Sequence, residues 1–173
     1  MNDVFKEQIV RQVPTTKDAL LKTAYLGVSL VAIYFALTIP QVFQFLVFIL
    51  IGLGVGMHMV FKTLSREYEY ILTNGELDVD CIYGKSRRKR MFSGELKSFE
   101  MMVHVEDDSQ EVIFKNALMR KDCSRGKGKE VENTYKFVAP YKGKLVCVVF
   151  SPNEEMLRLM APYLGQKRLQ LKK

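Results

Sequence analysis

A chain of 173 residues in which 48% of the side chains are apolar is too hydrophobic to be a disordered tail, and it has room for one globular domain plus a smaller element. Its 26 Lys and Arg against 19 Asp and Glu leave a formal net charge of +7, which directs attention to anionic partners: nucleic acid, an acidic protein or a membrane surface. Cys81, Cys123 and Cys147 are odd in number and contain no C-x-x-C pair, as expected for reduced cytosolic thiols that serve as small apolar fillers.

Residues 1–15 read as an N-terminal cytoplasmic segment. From Thr23 to Phe61, between Lys22 and Lys62, no residue is charged. About 20 apolar residues cross the roughly 30 Å hydrocarbon core of a bilayer, so this stretch predicts two crossings. They are divided at "TIPQVFQ", where Pro40 removes a backbone donor and biases Ile39 away from helical dihedrals. The expected helices run from about Thr16 to Ile39 and from about Val42 to Leu64, a two-helix transmembrane hairpin over 16–64. Thr15 and Asp18 form a capping-box start for the first. A cleaved signal peptide is the rival reading, but the apolar run is too long and no small-x-small site precedes it.

Close approach of two membrane helices needs small residues. Gly52 and Gly56 in "GLGVG" have the G-x-x-x-G spacing, and Gly27 falls at a similar depth in the first helix, so Gly27, Gly52 and Gly56 are candidates for helix packing. The alternative is that glycine is simply common in membrane helices. A dinucleotide loop is excluded, since no strand precedes these glycines. Two crossings place both termini on one side. Lys17, Lys22, Lys62 and Arg66 mark that side as the cytoplasmic face of a bacterial inner (cell) membrane in a multi-pass protein.

After Leu64 the period becomes two. In "REYEYILT" and "ELDVDCIY" apolar residues alternate with acidic ones, and Asn74-Gly75 between them is a strong hairpin signal. Further strands are expected at about 86–92, 97–105, 110–115, 133–140 and 143–150, making seven, with a long polar loop over 116–132. Ser151, Pro152 and Glu154 predict an N-capped helix from about Pro152 to Tyr163, with Met156, Leu157, Leu159, Met160 and Tyr163 on its apolar stripe.

Seven antiparallel strands closed by a C-terminal helix resemble the pleckstrin-homology-like barrel. The stretch "YEYILTNGELDVDCIYGKSRRKRMFSGELKSFEMM" resembles its bacterial version. Over its whole length the chain also resembles a family of small two-pass membrane proteins from gram-positive anaerobes, a likeness that implies layout and no activity. The expected architecture is therefore α+β, a transmembrane hairpin followed by a cytoplasmic pleckstrin-homology-like domain over 65–173.

"GKSRRKR", Gly84 to Arg90, concentrates Lys85, Arg87, Arg88, Lys89 and Arg90. The first strand leaves the bilayer, rises roughly 23 Å at about 3.3 Å per residue, and the second descends as far, which returns the cluster to the headgroups. Five basic groups near an anionic surface supply at most about 5 kcal/mol, attenuated beyond a Debye length of about 8 Å. The bland reading is that Asp78 and Asp80 pair with Lys89 or Arg87 and that the run only sets topology. Nucleic acid is a weaker candidate, because only Tyr83 and Phe92 flank the cluster. The loop equivalent to the phosphoinositide-binding loop of eukaryotic pleckstrin domains is Asn74-Gly75 and carries no basic residue.

No chemistry-bearing motif emerges. His58 reads as an interfacial residue, and His104 as the edge of a solvated acidic turn with Glu106, Asp107 and Asp108 rather than a metal ligand. "RGKGKE" lacks phosphate-loop spacing. The expectation is a non-enzymatic membrane-anchored interaction or scaffold module without cofactor, bound to anionic phospholipid headgroups and to a membrane or cytoplasmic protein. The alternative is a membrane-tethered nucleic-acid-binding regulator.

Overall fold

A computed structural model describes residues 3–107, 111–126, 133–165 and 169–170. The chain forms two compact units. One contains Pro14–Arg66 with Tyr83–Lys85; the other contains the residues up to Val13, Glu67–Ile82 and Ser86 onward.

The first unit is helical. Helix α1 spans Thr16–Thr38 and begins at a capping box, in which the Thr15 hydroxyl accepts from Asp18 N–H and the Asp18 carboxylate accepts from Thr15 N–H. It stops at Ile39, whose extended backbone precedes Pro40. Pro40 then opens a short helix, α2 (Pro40–Phe43), and α3 follows at Leu46–Leu64. The second long helix thus starts four residues later than its expected Val42, because proline is well placed in the first turn of a helix and starts one of its own. Both long helices are apolar enough to cross a membrane, with mean hydropathy 1.8 and 1.9. Their apolar side chains are also exposed: only 6% of the most apolar window of α1 and none of that of α3 is buried. A core helix of a water-soluble domain would hide this surface.

The second unit is built on two sheets. The first has the order β1-β2-β3-β4, with β1 Phe5–Arg11, β2 Arg66–Thr73, β3 Glu76–Tyr83 and β4 Arg87–Glu95. The second has the order β6-β8-β7-β5-β9, with β5 Met101–His104, β6 Met119–Asp122, β7 Tyr135–Tyr141, β8 Lys144–Phe150 and β9 Leu169–Gln170. Alternating residues of both sheets meet in a core rich in aromatics. Phe137 stacks on Phe99 at 4.3 Å and meets Phe92 at 5.1 Å and Phe150 at 5.2 Å edge-on. Helix α5 (Glu154–Leu164) buries Met156, Leu157, Met160 and Leu164.

Four expectations need correction. The strands do not close into a seven-stranded antiparallel barrel; they form two sheets, with additional strands. Strand β1 lies in the polar lead, where it pairs antiparallel with β2 from Phe5↔Thr73 to Arg11↔Glu67. As an edge strand it buries only Val10, so it has no apolar alternation to reveal it. Strand β6 lies inside the expected polar loop and pairs parallel with β8, from Met119↔Val146 to Asp122↔Val149. It is held by the hydroxyls of Tyr68 and Tyr70, which donate to the carbonyls of Asp122 and Cys123 at 3.0 and 2.5 Å. The expected strand at 110–115 is instead a short helix, α4 (Glu111–Lys115), in keeping with its continuous rather than alternating Val112-Ile113-Phe114.

The cap of α5 also differs. Asn153, not Ser151, accepts from Met156 N–H, at 2.8 Å. Ser151 is buried instead, its N–H donating to the Tyr70 hydroxyl at 3.1 Å and its own hydroxyl 3.0 Å from that of Thr134. Tyr70 Oη thus links β2 to the end of β8, and burial pushes its phenol far above the ordinary range, keeping it a neutral donor.

Candidate functional site: a basic turn between β3 and β4

The turn between β3 and β4 belongs to the helical unit. Gly84 and Lys85 both have left-handed backbones, φ +52° and +58°, the geometry of a two-residue type I′ hairpin turn. Gly84 N–H donates to the Ser65 carbonyl at 2.9 Å, satisfying an acceptor just past the end of α3. A Cβ on Gly84 would lie 2.8 Å from the Lys62 carbonyl oxygen and would collide with the Lys62 side chain. The Arg66 guanidinium lies over the Tyr83 ring at 5.9 Å. The β2–β3 excursion therefore does return to the end of α3, as strand lengths and two tight turns require.

The five basic side chains of the run fall into two groups. Arg88 reaches Glu69 on β2, with Nη1 2.9 Å from Oε2 and Nη2 3.1 Å from Oε1. Arg90 reaches both Asp78 at 2.8 Å and Asp80 at 2.5 Å on β3. Strand alternation aims Arg88 and Arg90 at one face, the face that carries the acids of β2 and β3. The pairing expected for Asp78 and Asp80 with Lys89 or Arg87 is thus made by Arg90. Lys85, Arg87 and Lys89 are exposed and form no ion pair among the described residues.

Charge state follows environment. The hydrogen bond that Arg90 donates to Asp80 holds its guanidinium above its ordinary range, with Asp78 adding to the effect. Burial raises the Glu69 carboxyl above its ordinary value, with Arg88 opposing. The cysteines are free and buried; burial pushes Cys123 up to about 12 and raises Cys147 as well, so neither is a ready thiolate at neutral pH. His104 is buried against Tyr135 at 5.4 Å rather than lying in a solvated turn, and its Nδ1 accepts from Glu106 N–H at 3.3 Å. Asp108 falls outside the described residues.

Two further cations belong to this basic surface and escaped the sequence reading. Lys121 and Lys142 lie over the Tyr141 ring at 4.5 and 5.3 Å, and Lys121 Nζ donates to the Met91 carbonyl at 2.5 Å. Burial lowers the Lys121 ammonium, and Lys142 and Lys89 push in the same direction. No local motif marks this group, since its members come from β4, β6 and the β7–β8 turn.

The glycines expected at the helix interface separate in the same way. A Cβ at Gly56 would run into Tyr25, whose hydroxyl crosses to donate to the Leu53 carbonyl at 2.7 Å. A Cβ at Gly27 or Gly52 would meet nothing within 4 Å. Gly56 thus gives room to an aromatic ring of the neighbouring helix, whereas a side chain added at Gly27 or Gly52 would enter open space.

No curated protein and no solved structure matches the chain. A family match extends over residues 2–170, nearly the whole chain, and includes the apolar helices as well as the sheets. The chain belongs to the family described as Bacterial PH-like domain (DUF6106).

Proposed function

We propose that the protein is a membrane-anchored, non-enzymatic interaction module. Its two long helices fix it in the cell membrane with both termini on the cytoplasmic side, and Lys85, Arg87 and Lys89 hold its PH-like domain against anionic headgroups. The observation that carries this reading is the hydrogen bond from Gly84 N–H to the Ser65 carbonyl, which ties the turn before the basic run to the end of α3. Lys17, Lys22, Lys62 and Arg66 flank the same ends of the hairpin, whereas the connection from Ile39 to Phe45 carries no charge, the asymmetry expected of a cytoplasmic end.

With Arg88 and Arg90 engaged internally, three free cations supply at most about 3 kcal/mol. A tethered domain needs no recruitment, so this energy orients it and presents its remaining surface to a partner protein. The chain has no tryptophan, so Ser86→Trp provides a single reporter beside the cluster. In full-length protein reconstituted with brominated lipids, its fluorescence is expected to be quenched in phosphatidylglycerol bilayers. Quenching should fall at 0.5 M salt, where the Debye length is about 4 Å against about 10 Å at 0.1 M, and in a Lys85→Gln/Arg87→Gln/Lys89→Gln variant. Equal quenching in phosphatidylcholine, insensitive to salt, would reject the reading.

A further inference from the structure

Between α1 and α3, at the end where the chain enters the first and leaves the second, lies a groove of about 520 Å³. It is lined by Leu21, Ala24, Tyr25, Val28, Met59 and Leu64, among others, and is almost wholly apolar. Its lining on α1 runs from Leu21 to Val28, about 10 Å at the helical rise. Such a groove in a membrane hairpin would ordinarily be filled by any neighbouring hydrocarbon.

The rim makes it selective. Lys22 sits over the Phe61 ring at 4.8 Å, and Arg66 follows Leu64 by two residues. The Lys62 side chain packs against Gly84, the residue before Lys85. Asp18 is close enough to Arg66 and Lys22 to feel both, and its Oδ2 already accepts from Thr15 N–H and Oγ, each at 2.8 Å. Arg66, whose guanidinium lies over the Tyr83 ring, also has a buried Nε with no hydrogen-bond acceptor. A guanidinium N–H withdrawn from water and left unpaired is costly, and a phosphate oxygen is the acceptor such a fork fits best.

We propose that this groove is a binding site for one phospholipid with an anionic headgroup, an acyl chain lying between α1 and α3 and the phosphate resting on Arg66 and Lys22. Basic pockets between helices at the cytoplasmic surface suit such headgroups. The site rests on the hairpin crossing the bilayer, but not on the PH-like domain touching the leaflet.

The test is native mass spectrometry of the full-length protein in detergent micelles, titrated with phosphatidylglycerol or with phosphatidylcholine of the same acyl chains. One phosphatidylglycerol per chain is expected to be retained at least about tenfold more tightly than phosphatidylcholine. Arg66→Gln and Lys22→Gln should each weaken phosphatidylglycerol retention roughly fivefold, with phosphatidylcholine unchanged. Arg66→Lys should keep most of it. Ala24→Phe fills the groove without touching a charge and should abolish retention, whereas Arg158→Gln, an exposed cation on α5, should leave it intact. Equal retention of the two lipids, or an unaffected Arg66→Gln protein, overturns the site. So does a lipid-free dimer that Ala24→Phe dissociates, which would assign the groove to a second copy. If Arg87→Gln/Lys89→Gln weakens retention as much as Arg66→Gln, the headgroup belongs to the PH-like domain and the site is likewise overturned. Loss of the Ser86→Trp quenching signal alone, with this retention pattern preserved, would remove domain docking and leave the site standing.

Discussion

Gly84 shows how much one residue can decide. Its left-handed backbone costs a side-chain-bearing residue about 1–2 kcal/mol, and any Cβ there also strikes Lys62. Gly143, with φ +74°, has nothing within 4 Å of its Cβ position and bears the backbone cost alone. Thermal unfolding should therefore show Gly84→Ala to be more destabilising than Gly143→Ala, and equal losses would mean that the Lys62 contact contributes nothing. Glu69 offers a test with pH. Its folded-state proton affinity is raised by burial, so the folded protein holds this proton more tightly than the unfolded chain. That contribution is complete at low pH and is lost as pH rises from the ordinary value of 4.5 through the raised one. Denaturant titrations should show Glu69→Gln gaining on the wild type between about pH 4.5 and 7; a constant difference would exclude the linkage.

Among the elements, β1 carries the clearest consequence. Seven residues of the N-terminal lead cover the edge of β2, and Gln8 bonds the start of α5, donating to the Ser151 carbonyl at 3.1 Å and accepting from Asn153 N–H at 2.8 Å. Lys6 adds an ion pair with Glu155. Deleting residues 3–11 should lower the denaturation midpoint and promote aggregation through the bared β2 edge. Gln8→Ala, which leaves Asn153 N–H without its acceptor, should cost about 1–3 kcal/mol. A deletion variant that unfolds like the wild type would show that β1 does not support the sheet. A fragment beginning at Leu64 is accordingly a poor stand-in for the domain. β2, β3 and their Asn74-Gly75 turn were legible from period-two alternation and turn chemistry, both of which act within a few residues. Strand β6 was not, because parallel pairing depends on a distant partner and leaves little local pattern in Met-Arg-Lys-Asp.

At the scale of the whole chain, the family match covers both units, and the helical unit carries two exposed helices long and apolar enough to cross a membrane. Buried native thiols permit a topology experiment, since they give little background to cysteine reagents. In intact cells a membrane-impermeant maleimide should label Gln41→Cys, in the helix connection, and should reach Ser98→Cys only after the membrane is opened; the reverse pattern would invert the orientation. The sequence alone determined the two long apolar helices, the first hairpin and the existence of a basic run, because length, hydropathy and turn residues are properties of contiguous segments. Only the tertiary structure decided which charges in that run stay free and which are spent on Glu69, Asp78 and Asp80. It also decided that the N-terminal lead completes a sheet and that Arg66 Nε is buried without a hydrogen-bond acceptor. Those outcomes depend on register between strands and on helix ends distant in the chain, and no local periodicity encodes them.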